Sequence, residues 1–238
     1  MAEDSFFQFK SFRIYQQNDK VFNVNTDGIL LLAWLPLLDH KNVLEIGCGT
    51  GVIAIGLENI NPKTNHFTAI DISENAYHLT KKNSAFNQSS IEIFHCSLNE
   101  FCETTQQKYA VIVSNPPFFL PHFPSQKAQN IQAKYTDSLP FESLIASSSR
   151  LLTDEGSCYL VLPYLSLDAI QAICQLHHLH IVRQLIIYPK VGKNPHRILL
   201  EIKKQKAVCE INSLAILDAN GSYTVDYIAL TKRFYTIF

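Results

Sequence analysis

Residues 43–57 read VLEIGCGTGVIAIGL, an apolar run, three glycines at alternate positions and a second apolar run. A short strand that enters a glycine-rich turn and leaves as a helix has few possible settings. Glycines let the backbone turn tightly and approach a ligand, and the following helix offers free N–H groups at its N-terminus. Twenty residues after Gly51, Asp71 ends a second strand-like run over 66–70. A carboxylate there can accept from two ribose hydroxyls. Beyond it the pattern keeps alternating. Strands are predicted over 66–71, 91–95, 109–114, 157–162, 181–188 and 197–203, and helices from Ser73 and over 141–152 and 166–178. Such alternation gives an α/β fold, a mostly parallel twisted sheet with helices on both faces. The last two strands are joined too closely for a crossover and should pair antiparallel at the sheet edge.

With 238 residues and 47% apolar content, the chain suits one domain spanning 1–238. We divide it into an N-terminal strand pair and helix (1–40), a core (41–206) and a C-terminal hairpin and helix (207–238). In the first part Phe7, Phe9, Phe12 and Ile14, then Val21, Phe22 and Val24, alternate with polar residues, and 26–28 read as a helix start. In the last part Asn220-Gly221 is a hairpin turn signal. The apolar run at 29–38 is broken by Pro36 and is too short to span a bilayer, and no basic leader precedes an apolar one. These features predict a cytoplasmic protein without membrane association. Six scattered cysteines without a C-x-x-C pair read as reduced thiols, and the histidines near 177–180 fit no familiar ligand spacing, so no metal is expected.

Asn115-Pro116-Pro117-Phe118 follows the run 111–113. The prolines have no N–H, so the carbonyls at this strand end are free to accept from a ligand. The aromatic ring offers a stacking face. An exocyclic amine on a base is a poor nucleophile because its lone pair is delocalised. Acceptors at both its hydrogens, the Asn115 side-chain oxygen and the Pro116 carbonyl, would favour a pyramidal nitrogen aimed at an electrophile. Within a nucleic acid the target base must first swing out of its stack. The segment 119–140, long and proline-bearing, is expected to act as a substrate lid.

The net charge of −1 argues against a generic nucleic-acid coat. Yet Arg183, Lys190, Lys193, Arg197, Lys203, Lys204 and Lys206 face only Glu201 within 183–206, a stripe that suits a phosphate backbone or a solvated rim. Asp27 is equally open, either a helix cap or a carboxylate near the cofactor. Cys48, inside the glycine loop and without an evident His partner, reads as a small filler.

The loop departs from the G-x-G-x-x-G dinucleotide fingerprint, since Val52 stands where the third glycine belongs. With Glu45 ahead of Gly47, Gly49 and Gly51 it resembles the S-adenosylmethionine loop of class I methyltransferases. More specifically, the chain resembles bacterial tRNA1(Val) adenine-37 N6-methyltransferases nearly end to end. The matching segments are 9–16, 26–31, the glycine loop, 114–117, Pro195-His196-Arg197 and 227–231. The resemblance implies a Rossmann-like class I methyltransferase fold. Glu45, Gly47, Gly49, Gly51 and Asp71, with Asp27 and Ser97 nearby, would hold S-adenosyl-L-methionine. Asn115, Pro116 and Phe118 would do the chemistry, with Pro117, Lys193 and Arg197 on the tRNA, the protein acting as a monomer. Two positions depart from the family. Phe118 replaces a usual tyrosine, and Ser97 stands where relatives commonly place an Asp.

Several alternatives stay open at this level. Guanine N2-methyltransferases of rRNA use the same Asn-Pro-Pro-Phe spelling, and a glutamine amide of a protein is another amine target. A dinucleotide-dependent oxidoreductase and a non-catalytic RNA-binding module are the readings from other classes.

Overall fold

The computed structural model describes residues 5–16, 21, 23–61, 65–117 and 139–238. Eight strands form one sheet: β3 (Asn42–Ile46), β4 (His66–Asp71), β5 (Glu92–His95), β6 (Tyr109–Ser114), β7 (Leu152–Pro163), β8 (His180–Lys190), β9 (Arg197–Lys203) and β10 (Glu210–Leu217), in the order β10-β8-β9-β7-β6-β3-β4-β5. From β7 to β5 all neighbours are parallel, whereas β9 runs antiparallel to both β7 and β8. The helices are α1 (Thr26–Trp34), α2 (Val52–Ile60), α3 (Glu74–Phe86), α4 (Leu98–Thr104), α5 (Phe141–Leu151), α6 (Leu167–Leu176) and α7 (Val225–Thr231).

The period-two pattern of the strands builds a core on each face. Val111 and Val113 pack with α1 and α2, while Ile112 between them packs with α4, α5 and α6. The chain leaves β3 towards β4 and β5, then returns to place β6 on the other side of β3. Ile46 therefore lies opposite both Ile70 and Ser114. That reversal makes a crevice at the carboxyl ends of the strands.

Three parts of the chain differ from the sequence expectation. The N-terminal pair closes early, with β1 (Ser5–Gln8) and β2 (Arg13–Gln16) both inside 5–16. Helix α4 was not expected, although Ser97-x-x-Glu100 announces it. Ser97 Oγ accepts from the Glu100 N–H, and the Glu100 carboxylate accepts from the Ser97 N–H, a reciprocal cap. In the tail, the chain does reverse at Asn220-Gly221, where Leu217 bridges Tyr223. The strand before that turn, β10, instead joins the main sheet parallel to β8.

Side-chain amides dock β2 on α3. Asn83 accepts from the Tyr15 N–H at 2.8 Å and donates to its carbonyl at 3.1 Å. Asn87 does the same for Arg13, at 3.0 and 2.7 Å. A carboxamide carries one donor face and one acceptor face, like a peptide group, so the two asparagines act as a further strand.

Candidate active site

The glycine loop leaves β3 with positive φ at Gly47 (73°), Gly49 (58°) and Gly51 (77°), a region that favours glycine. Strand β4 supports it, the Ile70 carbonyl accepting from the Gly47 and Cys48 N–H groups at 2.9 and 3.1 Å. Helix α3 clamps its side. Thr80 donates to the Gly49 carbonyl at 3.0 Å and Asn83 to the Thr50 carbonyl at 2.8 Å. A Cβ at Gly51 would lie 2.8 Å from Thr80 Cγ2, whereas one at Gly47 or Gly49 would meet nothing within 4 Å. Gly51 is small for packing. Gly47 and Gly49 leave a bare backbone cradle open to a ligand.

Asp71 closes this cradle. Its Oδ2 accepts from the Gly49 N–H and its Oδ1 from the Ser73 N–H, both at 2.8 Å. Each carboxylate oxygen has a second acceptor site, enough for a vicinal diol. Burial raises its pKa, with the two N–H donors opposing. Glu45 is buried deeper, 2% exposed. Its Oε2 accepts from the Ala54 N–H at 2.9 Å, in place of the side-chain cap that Gly51 cannot give α2. Burial pushes the Glu45 pKa up to about 8, with the Ala54 N–H opposing and the Asp71 charge adding. The Cys48 thiol is raised too, by burial first, so it stays protonated, as suits a filler beside Thr80.

Ser97 lies just past the end of β5, at the same rim, where its hydroxyl caps α4. The sequence reading overlooked the surface between Asp71 and Ser97. Ile72 is 49% exposed there. The His95 ring nitrogen Nε2 is 3.1 Å from the Ile72 carbonyl oxygen, and Tyr77 stacks on His95 at 5.7 Å. The available signal was an apolar residue directly after the strand-ending acid, which a buried helix start does not require.

Asn115 follows β6 next to this loop, anchored by Ser114, whose Oγ donates to the Ile46 carbonyl at 2.7 Å. Pro116 is buried and Pro117 half-buried. Phe118 and most of the expected lid lie outside the described residues. The first turn of α1 reaches this point. Asn115 Nδ2 is 3.5 Å from Asn25 Oδ1, and a Cβ on Gly28 would stand 3.6 Å from that same Nδ2.

Asp27 and Arg197 were read as belonging to different ligands. The structure pairs them with each other, Arg197 Nε donating to Asp27 Oδ2 at 2.7 Å, with side chains 25% and 16% exposed. Arg197 also donates to the His196 carbonyl at 3.1 Å. Burial and the Arg197 charge lower the pKa of His196.

The basic stripe is not continuous, which corrects the expectation of one patch. Because β9 is antiparallel, Arg197 faces Pro163 at the end of β7 while Lys203 faces Ser157, halfway back along that strand. Lys193 lies exposed in the β8–β9 turn, on the rim with Asn115. Lys203 and Lys204 belong to the opposite rim, where Lys204 pairs with Asp154 at 3.1 Å. Arg183 pairs with Glu201 at 2.9 Å and stacks over Trp34 at 4.0 Å.

The rim thus brings together an open glycine cradle, a buried carboxylate and an amide followed by two prolines, groups that could hold a ligand and a polar substrate side by side. Comparison with known proteins agrees. Residues 22–169 match the family described as methyltransferase small domain. The tRNA1(Val) (adenine(37)-N6)-methyltransferase of Proteus mirabilis is 35% identical, the alignment covering 96% of this chain and 93% of that protein. Its counterpart in Histophilus somni is 32% identical over 100% of both. A crystal structure of a predicted O-methyltransferase from Agrobacterium tumefaciens shares the fold, with a TM-score of 0.69, 17% identity and coverage of 87% and 96%. The chain belongs to the tRNA1(Val) (adenine(37)-N6)-methyltransferase family.

Proposed function

We propose that this chain methylates the N6 amine of adenosine 37 in tRNA1(Val), using S-adenosyl-L-methionine. The observation that carries this reading is the end-to-end similarity to enzymes of that name, at 32–35% identity over 96–100% of the chain, joined to an Asn-Pro-Pro segment on the same rim as the glycine cradle. The cofactor supplies an electrophilic methyl group. Everything else falls to residues of the chain.

Gly47 and Gly49 admit the cofactor backbone-on, Asp71 accepts from its ribose, Glu45 holds α2 against the loop, and Ile72 and Ser97 flank the base end. Asn115 Oδ1 and the Pro116 carbonyl accept the two amine hydrogens of the flipped adenine, and Phe118 stacks on the ring. Both acceptors lose effect if water reaches the amine, so the neighbouring prolines matter for exclusion as well as rigidity. Pro117 and Lys193 contact the RNA around the target. Arg197 acts through its pairing with Asp27, which fixes the β8–β9 turn relative to α1. Among the described residues no helix is long and apolar enough to cross a membrane, and we assign the protein to the cytoplasm as a monomer.

Incubating the protein with tRNA and labelled S-adenosylmethionine, then analysing nucleosides by mass spectrometry, tests the reading. Label should appear as N6-methyladenosine at position 37. Label in guanosine, or in protein glutamine without RNA, would replace it.

A further inference from the structure

An asparagine amide has two ends of nearly equal shape and opposite chemistry. Asn115 can accept an amine hydrogen only if its oxygen, not its NH2 group, faces the substrate. Something must decide which end points where. The contacts of Asn25 provide the decision. Asn25 is the N-cap of α1, and its Oδ1 accepts from the Gly28 N–H at 2.9 Å. That bond fixes the identity of the atom, since only an oxygen satisfies an orphan N–H of the first helical turn. The same Oδ1 lies 3.5 Å from the Asn115 amide, which presents Nδ2 to it. The flipped amide would set two carbonyl oxygens against each other at that separation. The Asp27–Arg197 pair, two residues along, holds the turn in place.

We infer that Asn25 is a positioning residue for the transfer step. It directs the Asn115 amide so that its oxygen, rather than its NH2 group, is presented to the target amine. This rests on the role proposed for Asn115, and the experiment is built to separate the two. Asn25 is solvent-exposed and the contact is long, so the effect is modest, about the fivefold of one neutral hydrogen bond.

The test compares Asn25→Gly, Asn25→Asp and Asn115→Ala in single-turnover assays with tRNA, alongside calorimetric binding of S-adenosylhomocysteine. Glycine is a tolerable N-cap, so Asn25→Gly should fold, and its melting temperature is read as a control. Asn25→Gly should lower the rate about fivefold while S-adenosylhomocysteine affinity and the KM for tRNA hold. Asn25→Asp keeps the acceptor and should recover most of the loss. The positioning role is overturned if Asn25→Gly keeps the wild-type rate, if its loss lies wholly in KM or cofactor affinity, or if Asn25→Asp is equally impaired. An active Asn115→Ala would overturn the amine-grip reading itself. An inactive one beside an unaffected Asn25→Gly would overturn the positioning role alone.

Discussion

The side of the rim proposed for the cofactor and the side proposed for the amine are assembled at very different ranges. Gly49 reaches Asp71 across 22 residues and Ala54 reaches Glu45 across 9. On the other side Asn25 meets Asn115 across 90 residues, and Asp27 meets Arg197 across 170. The first side is built mostly from neighbours in sequence: β3, β4, the loop between β3 and α2, and the helices α2 and α3 that pack on it. The second exists only after the whole sheet has closed, because it needs α1, β6 and the β8–β9 turn in one place. Binding and chemistry should therefore separate under mutation.

The widest separation is expected at Asn115. Asn115→Ala should reduce turnover about a thousandfold, the upper range for losing one preorganised group at a reacting centre, with S-adenosylhomocysteine affinity within about threefold by calorimetry. A parallel loss of affinity would merge the two halves into one unit. Asp71→Ala should do the opposite. It removes the acceptors proposed for ribose together with those of the Gly49 and Ser73 N–H groups, and should weaken cofactor binding roughly 100-fold, as expected for losing charged hydrogen bonds. Turnover at saturating cofactor should suffer far less.

Next in size is the long-range latch. In a double-mutant cycle, Asp27→Asn and Arg197→Gln should show about 1–2 kcal/mol of coupling in thermal or urea unfolding, typical of contacting residues in a partly buried pair. Each single variant should impair tRNA methylation without changing S-adenosylhomocysteine affinity. Additive effects would mean the pair does not hold α1 to β9.

The smallest effect concerns pH. Burial pushes the Glu45 pKa up to about 8 in the fold, from an ordinary value of 4.5. Over that interval the folded chain holds a proton that the unfolded chain has released. Stability from this group is therefore full at low pH and declines as pH rises through that window. Glu45→Gln keeps a carbonyl for Ala54 and cannot ionise. Its melting temperature should fall less than wild type between about pH 5 and about pH 8, by roughly a few degrees. The buried Asp71 is raised in the same direction, so some slope should survive. Parallel melting curves would contradict the buried, protonated state.

The same contrast in range explains what could be read from the sequence. The glycine loop, Asp71 and Asn-Pro-Pro announced themselves because their signals are local: glycine where φ is positive, an acid at a strand end, prolines without N–H groups. Strand alternation then pointed to a mostly parallel sheet around them. The Asp27–Arg197 pair was hidden because nothing near either residue encodes the other. The basic stripe misled for a related reason. Neighbours in sequence along β9 end on opposite rims once that strand is extended. The pairing of β10 with β8, in place of a simple hairpin, was missed because its exposed, polar start, with Glu210, Asn212 and Ser213, hides the apolar alternation of an edge strand. Helix α4 was legible in Ser97-x-x-Glu100 and was passed over because it is only seven residues long.

The amide of Asn83 serves two masters, the Tyr15 carbonyl of the N-terminal ribbon and the Thr50 carbonyl of the glycine loop. Trimming the chain back to the segment matched by the family, 22–169, would strip away the ribbon and leave a buried carboxamide half-satisfied at the edge of the cradle. Residues 5–16 thus act as a splint for the glycine-loop scaffold, and a shortened form of this chain should keep them.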